Sequence, residues 1–137
     1  MESDSRQLQA LLKIRKMRAE NRQRACAVAG QAVLLAEHAL QRNEAERRAA
    51  AAASDRFATS TLLSARGTIS GQSIQNVAMQ QQQLHAAEQS VLAERPVLEI
   101  RVELARQQQA AAREALLQAE RKVMVMEAAL DVISGRL

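Results

Sequence analysis

From Ile74 onward, positions taken alternately three and four apart read Ile74, Val77, Gln81, Leu84, Glu88, Val91, Arg95, Leu98, Val102, Ala105, Gln109, Ala112, Leu116, Ala119, Val123, Met126, Leu130, Ile133 and Leu137. Most are apolar, and the phase holds for nine heptads. A strand alternates with period two, and a helix of an ordinary globular domain seldom keeps one phase beyond about 25 residues. The repeat therefore predicts one long helix with a narrow coiled-coil seam. Pro96 falls inside it, where the missing N–H removes a hydrogen bond to the Leu92 carbonyl and predicts a kink.

A seam needs a partner, and the first half of the chain offers one. Its matching positions run Leu8, Leu12, Arg15, Ala19, Arg22, Cys26, Ala29, Val33, Ala36, Leu40, Asn43, Arg47, Ala50, Ser54, Phe57 and Thr61. Small residues dominate, which lets two helix axes approach closely. Arg15 and Arg22 can lay their stems along apolar neighbours and keep their charges in water. Asp4 followed by Gln7 is a start signal, with Asp4 as N-cap. Composition agrees: Phe57 is the one aromatic residue, and much of the 47% hydrophobic content is Ala, a strong helix former that fills little core.

The two periodic halves meet at LLSARGTISGQSIQ, residues 62–75, which holds Gly67 and Gly71. Gly67 suits a left-handed residue closing the first helix, and Ser70 suits an N-cap for the second. The predicted fold is all-α: a long antiparallel two-helix coiled-coil hairpin. Helix 1 spans about 4–64, the turn about 65–70 and helix 2 about 71–135. A turn near residue 67 sets Ala50 opposite Ala86. One continuous helix in a dimer is the alternative, and two glycines at the midpoint argue against it. The chain is thus expected to be monomeric, its own partner.

Catalytic chemistry needs polar groups converging in a concave site, and a helical pair has no such interior. His38 and His85 lie far apart in the expected pairing, and His85 with Glu88 is too small a set for a metal. No enzyme, cofactor or metal is expected. A lone Cys26 suits packing in a reducing compartment. The segment MESDSRQLQ lacks the basic and apolar regions of a signal peptide, and the longest uncharged run, residues 67–87, is rich in Gln and Ser. A soluble cytoplasmic protein without a membrane span is the expectation.

Charge is concentrated. KIRKMRAENRQR, residues 13–24, carries Lys13, Arg15, Lys16, Arg18, Arg22 and Arg24 against Glu20, a net of +5 in a chain whose total is +4. Nucleic acid, an acidic protein surface and plain solvent all fit such a cluster. It has no aromatic residue for stacking on bases and no DNA-reading motif, so specific nucleic-acid recognition is not expected. Residues 67–87 differ in kind, being neutral and rich in Gln and Ser, with Ile69, Ile74, Val77 and Met79 as apolar contacts. Two chemically different surfaces suit a connector.

The basic amphipathic LQALLKIRKMRAENRQR, the mid-chain break and the segment SARGTISGQSIQN (residues 64–76) opening a Gln-rich second helix together resemble a family. It is that of the small central-stalk proteins of type III secretion (SctO/YscO, FliJ-like), whose members look like the coiled coil of a rotary ATP synthase γ subunit. The resemblance covers nearly the whole chain. It implies a non-enzymatic hairpin that inserts its paired ends into a hexameric export ATPase, contacts the export gate protein, and in some members handles secretion chaperones. It implies a cytoplasmic location peripheral to the inner membrane. The ATPase-facing surface would be Leu8, Leu11, Lys13, Ile14, Arg15, Arg18 and Arg22 with the turn from Leu130 to Leu137. The gate-facing surface would be Ser70, Ile74, Gln75, Val77, Ala78 and Gln81. The lack of aromatic residues in that second surface favours the injectisome branch. A coiled-coil scaffold or adaptor, and a nucleic-acid-associated helical protein, are the competing expectations.

Overall fold

The computed structural model describes residues 2–64 and 71–135. They form two long helices in contact, α1 (Glu2–Ser64) and α2 (Gly71–Ile133), with no strand among the described residues. The protein is an all-α helical hairpin. The expected turn, including the proposed roles of Gly67 and Ser70, lies outside the described residues.

Helix ends depart from expectation by a residue or two. α1 begins at Glu2, so Asp4 lies within the first turn and does not cap it. Both carboxylates there still face the positive end of the helix dipole. α2 continues without interruption through Pro96 and stops at Ile133, short of the expected 135. Its end is closed by Ser134, whose backbone N–H donates to the Leu130 carbonyl at 2.9 Å and whose hydroxyl donates to the same carbonyl at 2.7 Å. Gly135 follows at φ +73°, a left-handed conformation that a glycine adopts without the steric cost a side chain adds.

The chain divides into two units. The first comprises Met1–Leu35 with Glu103–Leu137. Here the helices run antiparallel: Lys16 pairs with Glu127, and further along α1 Gly30 lies beside Gln109. Val33, Ala105 and Met126 are buried between them, flanked by half-buried Leu8, Leu12, Leu116 and Val123.

The second unit is Ala36–Val102. It is also antiparallel, since Asn43 meets Val91 while Ser54, further along α1, shares a groove with Ala78 and His85. Asn43, 3% exposed, and Val102, 5% exposed, are its most buried residues. The register that Asn43 and Val91 set brings Ala50 opposite half-buried Leu84, and not opposite Ala86, which is exposed.

Leu137 lies outside the described residues; among those described, nearly every seam position read from the period is buried or half-buried. The exceptions are Arg22, Ile74, Gln81, Arg95 and Ile133. Arg22 keeps its charge in water, and Arg95 leans across to pair with Glu44. Ile74 and Ile133 occupy terminal turns of α2, where a side chain is covered from one direction only. Gln81 is polar and gains little from burial. No described side chain is fully buried. Each contact therefore yields only part of the roughly 1.5–3 kcal/mol of a completely buried aliphatic residue, and length of repeat compensates.

Candidate partner-binding surfaces

The first surface lies in the unit containing both helix ends. Helical spacing sorts the seven positions implied for it. Leu8 and Arg15 are half-buried toward the seam, whereas Leu11, Lys13, Ile14, Arg18 and Arg22 are exposed. Of the exposed five, Leu11, Ile14, Arg18 and Arg22 recur at intervals of three, four and four, which lays them along one stripe of α1 with Arg15 at its edge. Lys13 points away from that stripe. Leu11 and Ile14 remain 45% and 46% exposed, so an aliphatic pair followed by two guanidinium groups is held toward solvent.

The opposite flank is different. Lys16 Nζ lies 3.5 Å from Glu127, and Lys16, Ala19, Glu120, Val123 and Met124 line a shallow groove of about 400 Å³. Leu130 does not join the stripe: with Leu12, Ser5 and Asp131 it lines a second groove of about 330 Å³. The basic cluster is therefore spread around α1: Arg15, Arg18 and Arg22 share a face with Leu11 and Ile14, whereas Lys13 and Arg24 lie on another side with exposed Met17 and Val28.

At the start of α2, Ile74, Ala78 and Gln81 fall on one stripe and are exposed, Ile74 at 57%. Val77 is half-buried against α1, Gln75 points to another side, and Ser70 lies outside the described residues. His85, four residues on from Gln81, lines the same groove as Ala78 and Gln81, so this surface offers amide hydrogen bonds, an imidazole and modest apolar area.

A third constellation has no counterpart in the sequence reading beyond the seam positions of Asn43, Arg47 and Arg95. Glu44 accepts from Arg47 at 2.7 and 3.2 Å and from Arg95 of the facing helix at 3.2 Å, with Arg48 at 3.5 Å. Arg95 in turn donates to Glu99 at 2.9 Å. The hydrogen bond from Arg47, more than the surrounding charges of Arg47, Arg95 and Arg48, holds the Glu44 carboxyl below its ordinary value, against a smaller opposing effect of desolvation. Beside it Asn43 donates its amide N–H to the Val91 carbonyl at 2.9 Å, while its Oδ1 is buried without a partner. The hint in the sequence was three polar residues, Asn43, Arg47 and Arg95, at seam positions. Pairing across helices cannot be read until the register is known.

Among the described residues no group of three His, Cys, Asp or Glu side chains could hold a metal, and no helix is long and apolar enough to cross a membrane. His38 and His85 are both exposed. Compared with protein-family models, with curated proteins and with solved structures, the chain matches none.

Proposed function

We propose that the chain is a non-enzymatic central stalk of a type III secretion system. In this role its paired helix ends enter a hexameric export ATPase, the start of α2 contacts the export gate, and the protein sits in the cytoplasm beside the inner membrane. The observation that carries the proposal is the stripe of Leu11, Ile14, Arg18 and Arg22, half aliphatic and half cationic, exposed on a helix already held by its own chain. Such a stripe fits an acidic protein surface better than a phosphate backbone, which has no use for Leu11 and Ile14. The resemblance in residues 8–24 and 64–76 names the partner.

The physics of that role is simple. A two-helix body in a six-fold pore cannot touch six subunits alike, so its contacts favour one state in some subunits over others. Assembly of the hexamer, or ordered turnover within it, responds to that bias.

The test is binding to the export ATPase and stimulation of ATP hydrolysis, with Arg18→Glu/Arg22→Glu as the variant. Both residues are exposed and carry no ion pair among the described residues, so the hairpin should fold as before. Loss of stimulation by about tenfold or more is expected. Full stimulation by the double variant would remove this surface from the function, and an ATPase indifferent to the unaltered chain would end the proposal.

A further inference from the structure

α2 carries a second stripe that faces away from α1. Met79, Ala86, Ala93, Val97 and Ile100 share it by helical spacing, and all are exposed, with Met79 at 58%, Val97 at 50% and Ile100 at 67%. Ser90, Ala93, Glu94, Val97, Leu98 and Arg101 line a surface groove of about 580 Å³ along it. Ala93, Val97 and Ile100 follow one another at steps of four and three, the spacing of a coiled-coil seam, and none of the described residues covers them.

The flanking charges identify what would. Glu94 and Arg101 stand seven residues apart on the same edge of the stripe, and neither has an ion pair among the described residues, although Arg95 and Glu99 between them are paired. When two identical helices meet antiparallel about a two-fold axis, residues on this edge of one helix oppose the same edge of the other. Laying Val97 on the partner's Ile100 puts Glu94 beside the partner's Arg101 and Arg101 beside the partner's Glu94. Both charges are satisfied at once, and the aliphatic pair is covered in the same register.

We infer that a second copy of this chain docks antiparallel on the outer face of α2 between Ser90 and Arg101. The contact is small, with Ala93, Val97 and Ile100 as its apolar centre, so the dimer is weak and forms only at high local concentration. It departs from the monomer expected from the sequence and is independent of the stalk role, because the purified chain alone decides it.

Sedimentation of the full chain from micromolar to millimolar concentration should show a monomer–dimer equilibrium. Ile100→Glu should weaken it by about tenfold or more, with helicity by circular dichroism unchanged. The charge pair supplies the sharper test. Glu94→Arg alone places like charges across the two-fold axis, as does Arg101→Glu alone, and each should stay monomeric. Mixed together, the two variants restore both opposite-charge contacts and should associate at least as well as the unaltered chain. A chain that is monomeric throughout the range overturns the inference and leaves this face to a different protein. So does a mixture that associates no better than its separate components.

Discussion

Asn43 is the most buried polar residue described, and it sits where a coiled coil would otherwise place an aliphatic side chain. Its amide reaches the Val91 carbonyl, one turn before the Pro96 ring, and its own Oδ1 is left without a partner. Such a residue trades stability for a unique register. Asn43→Leu should therefore raise the free energy of unfolding, by about 1 kcal/mol in a chemical melt. A drop of similar size would mean that the bond to Val91 outweighs the orphaned oxygen.

Glu44 gives a pH dependence with a definite sign. Its folded value lies below its ordinary 4.5, so the stability it contributes is present above that value and is lost as pH falls through the lower one. The difference in melting temperature between the unaltered chain and Glu44→Gln should be largest near neutrality and shrink below about pH 4. A difference that stays constant with pH would detach Glu44 from the network. Gly30 is the remaining case. A Cβ built there meets only Gln109 Nε2 at 3.5 Å, an ordinary contact at the end of a flexible side chain. Gly30→Ala should stabilise by about 0.5–1 kcal/mol through helix propensity.

At the scale of the element, the period of α2 made its buried face legible from residue types alone. Val91, Leu98, Val102, Ala105 and Met126 are all in the seam that the alternation of three and four defines. α1 was legible in the same way despite a seam of small residues, because Val33, Leu40 and Phe57 hold the phase. Seam positions in terminal turns misled, since periodicity says which face a residue occupies and not whether anything reaches it; Ile74 and Ile133 are the examples. The cross-helix pair of Glu44 and Arg95 was hidden for another reason. A register error of one or two residues, well within what a repeat of similar Ala-rich turns allows, separates those side chains entirely. Val102→Ala and Met126→Ala, both at buried seam positions, should each cost about 1–3 kcal/mol, and thermal melts measure it.

For the whole molecule, a chain that folds back supplies both sides of its seam and leaves its outer faces to other molecules. The candidate surfaces were only partly legible, because a binding stripe is defined by its partner as much as by its own residues. The basic cluster could be seen in the sequence. That Lys13 leaves the stripe, while Arg18 and Arg22 share it with Leu11 and Ile14, depends on which side α2 occupies. Self-pairing of the two helices underlies every surface described above, and crosslinking within one chain measures it. In a Cys26→Ala background, cysteines at Lys16 and Glu127, whose side chains now meet at 3.5 Å, should be joined by a short bismaleimide in dilute solution to give a product of monomer mass. Crosslinks formed only between chains would replace the hairpin with long helices paired across molecules.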